Sequence, residues 1–322
     1  MLKWAILVNG NVCRKLAAVH PLGSAWSLSS WSEGNSSSSE EEEEEVLTSS
    51  FLYMPIIYNL GTLKWYRPFS ILPLISKLLE RIVHFQLNSF LVNNNILSPY
   101  QSGFRRGHST VTALVKVCDD IRANMDNQLI TILALLDFSN AFNTVDFDIL
   151  LAILKSINIS EAAIDWFHSY LNGRQQCVYS QNKFSSYSSL TAGVPQGGVL
   201  SPLLFAIFIN TVSKQLSSSF HLYADDLQVY IGSPSHSICE GIAEVNNELL
   251  SIYTWSNSYG LCVNPNKSQV IIIGSRQQLA KVNFSTLLSV RFNSTDLVLS
   301  TTVKNLGPLI DTTLSWSPQV AE

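Results

Sequence analysis

Three aspartates stand where this 322-residue chain could do chemistry. Asp137 lies at the end of the apolar run Leu129–Phe138 (LITILALLDF), and Asp225 and Asp226 are adjacent within Phe220–Ile231 (FHLYADDLQVYI). The first run reads as a strand buried on both faces. The second reads as two short β-prone segments meeting at Ala224-Asp225, a hairpin with its acids at the tip. Asp137 and Asp225 are 88 positions apart and meet only if their strands are neighbours in one sheet. Carboxylates brought together there would repel one another and lose water, which is costly without a partner. Hard divalent cations relieve that repulsion and accept oxygen ligands. Two such ions, about 3.5–4 Å apart, can activate a hydroxyl and stabilise a leaving pyrophosphate in an in-line phosphoryl transfer. The alternative is three ordinary surface aspartates, since an Asp-Asp pair in a turn is common.

The elements that would position these groups are readable from period and punctuation. Leu72–Leu91 carries apolar residues at helical spacing, with Pro73 suited to a first turn, and Ser98-Pro99 marks a break. Thr110–Met125 predicts a helix with Ala113, Leu114, Val117 and Ile121 on one stripe. Asp146–Ser156 and Glu161–Leu171 predict two more, the second with Ser160 as N-cap and Asn172-Gly173 as stop. Cys177–Ser189 suggests a hairpin around Gln181–Lys183, and Pro202–Leu216 a mostly apolar helix. Ser237–Tyr259 is a helix ending at Gly260, followed by a strand region, Leu261–Ile273, broken at Asn264-Pro265-Asn266. This order fits an α+β fold, an antiparallel sheet backed by helices, and not a doubly wound parallel one.

Composition narrows the class. Hydrophobic residues make up 46% and charged residues 14%, against about a quarter charged in ordinary soluble proteins, which predicts a globular body with a sizeable core. Of the net charge of −4, six acids belong to the run Glu40–Glu45; outside it the balance is 20 basic to 18 acidic. Bulk charge therefore gives no support to a nucleic-acid partner, and any such support must come from local placement. The five scattered cysteines form no CxxC pair, which argues against a disulfide framework or a zinc site and for a reducing compartment. The apolar stretch Trp4–Val8 is shorter than the about 7–15 residues of a secretory core. No run approaches the roughly 20 residues of a membrane span. The expectation is an intracellular protein, of nucleus or cytoplasm, neither secreted nor membrane-bound. The sequons at Asn158, Asn283 and Asn293 then carry no meaning.

Longer stretches resemble a known family. LYADDLQVY resembles the Tyr-Ala-Asp-Asp hairpin of reverse transcriptases, LDFSNAFNTVDFDIL their motif A, AGVPQGGVLSPLLF their motif B and QSGFRRGHST a fingers motif. RPFSILPLISKLLERI lies upstream, and GLCVNPNKSQVIIIGS and LGPLIDTTLSW downstream. The likeness is to non-LTR (LINE-type) retrotransposon enzymes and covers roughly residues 65–317. It implies the fingers and palm of a right-hand polymerase, an RNA template, a DNA primer and dNTPs as partners, and two magnesium ions, with manganese able to substitute. By the resemblance, Asp137, Asp225 and Asp226 hold the metals with the Phe138 carbonyl. Phe142, five residues after Asp137, falls where the family has an aromatic sugar gate; plain core packing is the alternative. Gln196 and Gly197 approach nucleotide and template, in a turn shaped by Gly193 and Pro195. Arg105 and Arg106 reach the triphosphate, Tyr223 belongs to the nucleotide site, and Lys267 lies near the leaving phosphates.

The match has departures. Asn140, Asn143 and Phe147 stand where motif A commonly has Lys, Asp and His, and Gly198 and Ser201 where motif B usually has Ser and Gly. The expected organisation is a divergent, largely disordered segment over 1–60 with the Ser/Glu tract, a reverse transcriptase domain over 61–317 with a truncated thumb, and a tail at 318–322. Two rival readings compete with this one: a catalytically inert retroelement remnant that at most binds nucleic acid, and an RNA-directed RNA polymerase, against which the Tyr-Ala-Asp-Asp hairpin and Phe142 both count.

Overall fold

The structure, a computed structural model, describes residues 49–53, 69–72, 74–180 and 183–321. The Ser/Glu tract, Pro73 and the tip of the Gln181–Lys183 turn lie outside them. In chain order the elements begin with β1 (Ser49–Tyr53), β2 (Phe69–Ile71), α1 (Leu74–Asn93), α2 (Thr110–Asp126), β3 (Ile130–Asp137), α3 (Phe147–Ser156) and α4 (Glu161–Leu171). They continue with β4 (Gln175–Ser180), β5 (Lys183–Phe184), β6 (Ser188–Ser189), α5 (Ser201–Ile209), β7 (Ser219–Tyr223), β8 (Asp226–Ser233), α6 (Ile238–Ser258) and β9 (Gln269–Ile273). The described residues fall into two compact units, those up to Phe85 with Phe147–Ser201, and Gln86–Asp146 with those from Pro202 on.

The first unit contains a mixed sheet in the order β2-β1-β4-β5, with β6 also on β4. Strand β1 runs antiparallel to β2 and parallel to β4. Helices α3 and α4 pack against each other, and Leu150, Leu154, Phe167 and Leu171 are buried. Ser160 sits at the N-cap of α4 with extended backbone, but its hydroxyl makes no capping bond, so that predicted cap is a cap in backbone only. The predicted stop is real: Gly173 takes a φ of +71°, a left-handed conformation natural to glycine.

The second unit is built on a sheet in the order β9-β3-β8-β7, antiparallel throughout, with the two-residue strand Val298–Leu299 added parallel to β9. Helix α2 starts on a reciprocal cap: Ser109 Oγ accepts from Thr112 N, and Thr112 Oγ1 accepts from Ser109 N, satisfying two N-terminal donors. Its predicted stripe is buried and meets Leu133, Tyr230, Ile271 and Ile273. On the other face, a Cβ built on Gly241 of α6 falls 3.1 Å from Ile132 Cδ1. One helix on each face explains why β3 alternates no polar residues. The strand expected over Leu261–Ile273 is shorter than predicted: only Gln269–Ile273 pairs as a strand, and the segment before the Pro265 turn contributes a single bridge, Phe138 to Val263.

Helix α1 departs from the simple reading of its apolar pattern. Its buried side is Ser76, Glu80, Val83, Leu87 and Leu91, while Leu74, Ile75, Leu78, Ile82 and Phe85 are exposed. A polar pair, Ser76 and Glu80, thus occupies part of the inward face.

Candidate active site

The register of β3 against β8 decides the geometry. Eight consecutive pairs run from Ile130↔Ser233 to Asp137↔Asp226. Residues directly opposite in an antiparallel pair project from the same face with Cα atoms about 4.5–5.5 Å apart, so Asp137 and Asp226 share one face at the end of the sheet. On its other side Asp226 pairs with Tyr223, closing a two-residue loop, Ala224-Asp225. Ala224 is buried at a φ of +55°, the left-handed conformation that tight hairpins demand.

Asp226 feels both of the other acids. Desolvation by the surrounding protein, then the charges of Asp225 and Asp137, push the Asp226 carboxyl up to about 6. Its side chain still reaches solvent, so the desolvation comes from protein packed around it rather than from full enclosure. Asp137 Oδ2 is buried without a hydrogen bond and lies 3.7 Å from Lys267 Nζ, an ion pair too long for a hydrogen bond. The Asp137 main chain points towards the β9 side: its N–H donates to Ser268 Oγ and its carbonyl accepts from Asn264 N. By the alternation of a strand, the Phe138 carbonyl faces the opposite way, towards the β8 side.

The segment Tyr100–Gly103 lies alongside β7 like an extra strand. Leu222 N donates to Tyr100 O and Ser102 N to Leu222 O, at 2.9 and 2.8 Å. Gly103 then comes against the aspartate turn so closely that a Cβ on it would fall 2.1 Å from Ala224 N. Arg105 anchors the loop from within, its Nη1 donating to Ser98 O and Gln101 O; Arg106 is exposed. Beyond Gly103, Phe104 meets Phe142 edge-on with ring centroids 5.8 Å apart. Phe142 in turn stacks on Phe205 at 4.2 Å and 19°.

His221, beneath this loop, is 3% exposed. Its Nε2 is 2.9 Å from Ser102 Oγ, and its Nδ1 has no hydrogen-bond partner. Burial, then the charges of Lys116 and His108, pull the imidazole down to about 4, against an opposing effect of Asp120. The folded protein therefore holds fewer protons at this ring than the unfolded chain does. The stability tied to the neutral ring is full above the ordinary value of 6.5 and is lost as pH falls towards 4. Denaturation midpoints are expected to drop through that window, and His221→Gln to flatten the drop; a pH profile identical in the variant would contradict this account.

Gln196 and Gly197 belong to the first unit. Gly197 has a φ of +106°, and Gly198 N donates to Pro195 O at 3.0 Å, closing the turn. The turn leads into α5, whose preceding amides, Val199 N and Leu200 N, donate to Glu80 Oε2 at 2.6 and 3.0 Å. A carboxylate at a helix N-terminus satisfies orphan donors and complements the helix dipole. Tyr170 lies beside it, and burial, with the Glu80 charge adding, raises the Tyr170 hydroxyl. A Cβ at position 198 would meet Ser201 Oγ at 2.6 Å and Glu80 Oε2 at 3.1 Å, so Gly198 and Ser201 are sterically coupled. Glu80→Ala is expected to cost about 2–4 kcal/mol, because two amides lose their acceptor inside the protein, and Glu80→Gln much less. Denaturant titration checks it; equal costs for the two variants would remove the capping role.

A family model described as reverse transcriptase (RNA-dependent DNA polymerase) matches residues 60–308. The chain belongs to the reverse transcriptase family. Among curated relatives, this reverse transcriptase chain is 31% identical to the "probable RNA-directed DNA polymerase from transposon BS" of Drosophila melanogaster, over 63% of the chain and 23% of that protein. It is 27% identical to the RNA-directed DNA polymerase from mobile element jockey of Drosophila funebris, over 78% of the chain and 27% of that protein. These are non-LTR transposon proteins, and the chain spans about a quarter of their length. The solved telomerase of Candida tropicalis, truncated of its C-terminal domain, superposes with a TM-score of 0.57 at 15% identity, over 84% of this chain and 54% of that one. The α+β architecture is thus that of polymerase fingers and palm.

Reverse transcriptases as a family use divalent metal ions, and the residues here suit that chemistry: three carboxylates and a backbone carbonyl, all hard oxygen donors. Asp137 Oδ2 is buried with no hydrogen bond, and burial and the neighbouring acids raise the Asp226 carboxyl, so oxygen donors are left over beyond the ion pair to Lys267. Among the described residues no three His, Cys, Asp or Glu side chains are already gathered as a ligand set; the facing pair and the turn acid are an open arrangement. In the second unit of this reverse transcriptase, Asp137, Phe138, Tyr223, Asp225, Asp226 and Lys267 come to one end of the sheet, and Phe142 connects to it through Phe104. Sequence reasoning missed Gly103, Phe104, His221 and Glu80. Only Glu80 left a signal, an acid four residues from Ser76 and followed three residues on by Val83 in the helix. No helix among the described residues is long and apolar enough to cross a membrane.

Proposed function

We propose that residues 61–317 form an RNA-directed DNA polymerase domain that extends a DNA primer on an RNA template. The primer 3′-oxygen attacks the α-phosphorus of a dNTP, a new P–O bond forms, pyrophosphate leaves, and the 3′-hydroxyl proton is lost. Asp137, Asp225 and Asp226, with the Phe138 carbonyl, would hold two magnesium ions. Those ions supply activation of the 3′-hydroxyl and neutralisation of the leaving pyrophosphate. What the chain itself contributes is alignment. Arg105, Arg106 and Lys267 carry the positive charge assigned to the triphosphate; since Arg105 Nη1 is engaged by the loop carbonyls, its remaining nitrogens are the ones for phosphate. Tyr223, Gln196 and Gly197 contact nucleotide and template, and Phe142 is the wall under the sugar.

One observation carries this reading: Asp137 faces Asp226 across two paired strands, beside the turn that carries Asp225. Primer extension on an RNA template with dNTPs and Mg²⁺ tests it. Incorporation that is lost with chelator and with Asp225→Asn supports the polymerase. Template binding without incorporation at any protein concentration would leave a nucleic-acid-binding remnant instead, and preferential use of rNTPs would point to an RNA polymerase.

A further inference from the structure

Phe104 has a conformation that needs explaining. It is a bulky residue at a φ of +58°, a region in which a large side chain is strained, and it is 43% exposed. Its neighbours over-determine the position. Gly103 is clamped against the backbone of Tyr223 and Ala224, Gly103 N donates to Gln101 Oε1 at 2.9 Å, and Ser102 is tied to Leu222 and His221. Strain held this firmly delivers the ring to one place, the edge of Phe142 at 5.8 Å and 89°.

Phe142 is therefore gripped from two sides, by the flat face of Phe205 at 4.2 Å and by Phe104. A stacked partner alone lets a ring slide in its plane; an edge-on partner blocks that slide. We infer that Phe104 is a specificity-determining positioning residue, which fixes the Phe142 ring so that it excludes a 2′-hydroxyl and favours deoxynucleotides over ribonucleotides. This rests on the reading of Phe142 as the wall under the sugar. It also joins sugar selection to the aspartate turn, because Gly103, the next residue back, is the one that touches Ala224.

The test compares the full chain with Phe104→Ala, Phe104→Tyr, Phe142→Ala and the Phe104→Ala/Phe142→Ala double variant. Two readouts serve: the ratio of kcat/KM for dGTP and GTP, and ternary-complex formation with each nucleotide on an RNA template carrying a dideoxy-terminated primer, which needs no chemistry. Phe104→Ala is expected to reduce discrimination roughly tenfold, the size expected from loss of one aromatic pair. The reduction should come from better use of GTP rather than poorer use of dGTP. Phe104→Tyr keeps the ring edge and should keep the ratio, and the double variant should discriminate no less than Phe142→Ala alone. If Phe142→Ala relaxes discrimination while Phe104→Ala leaves it intact, the inference is overturned and the polymerase reading stands. If Phe142→Ala changes nothing, or the wild-type chain forms no ternary complex with dGTP, the underlying reading has failed and this inference with it.

Discussion

Asp226→Asn is expected to lower magnesium-dependent nucleotide addition by at least about a thousandfold while leaving the fold as stable as before or more so. The two effects have one origin. Folding brings Asp226 beside Asp225 and Asp137, and desolvation plus their charges raise its carboxyl to about 6 from an ordinary 3.8. A raised acid holds its proton more firmly in the folded state. Its stabilising contribution is thus full below about 3.8 and is lost as pH rises through about 6, so at neutral pH the ionised group opposes folding. Asparagine has nearly the same shape and no charge, and removes that opposition together with a metal ligand. Asp137→Asn should be equally damaging to activity but gain less stability, because it strips Lys267 of its ion-pair partner. A readout independent of catalysis follows from linkage: an ion that binds only the folded state raises its melting temperature. Mg²⁺ should therefore raise Tm in the wild-type chain and much less in Asp226→Asn. A variant that melts lower than wild type in metal-free buffer, or that still gains the full Mg²⁺ increment, would refute the shared-charge account.

Gly103→Ala is expected to be nearly as damaging, by a different route. The added methyl would lie 2.1 Å from Ala224 N, 2.7 Å from Ala224 Cα and 3.1 Å from Tyr223 C. All three are backbone atoms in a hairpin turn and cannot rotate away, so either the loop lifts or the turn moves. Overpacking of this kind costs typically about 1–3 kcal/mol. A displacement of about 1 Å at a reacting centre can cost on the order of a hundredfold in rate. Gly107→Ala makes a useful contrast, because a Cβ there meets nothing within 4 Å and only its φ of +82° resists substitution. Thermal melts and primer extension on both variants check the argument. It fails if Gly103→Ala extends primers at the Gly107→Ala rate.

Much of this could be read in the sequence, and the boundary is physical. Hydrophobic period gave the type of the long helices and of β3, because α2 and β3 bury the residues their patterns mark as apolar; it gave no sign of β1 or β2. The hairpin tip at Ala224-Asp225 was legible because a two-residue turn between β-prone runs has few solutions. Pairing of Asp137 with Asp226 was not, since register depends on which strands meet, and a one-residue slip would have turned one acid to the other face. The long-range close contacts were hidden altogether. Nothing local marks Gly103 as a residue squeezed against residue 224, or tells that Gly198 leaves room for the hydroxyl of Ser201. That last pair gives the two departures in motif B a steric rationale, because each residue fits the other. Helix α1 was misleading in phase: its apolar residues outnumber the places on its inward side, and Glu80 takes one of those places to serve the amides before α5.

That surplus on α1 has a practical corollary. Val83, Leu87 and Leu91 seat the helix, whereas Leu74, Ile75, Leu78 and Ile82 lie in contact with water. The outward positions add oily surface without adding anchorage. Lysine or glutamate there would make the purified domain easier to keep dispersed at high concentration, with the seat of the helix and the capping acid on its far side left as they are.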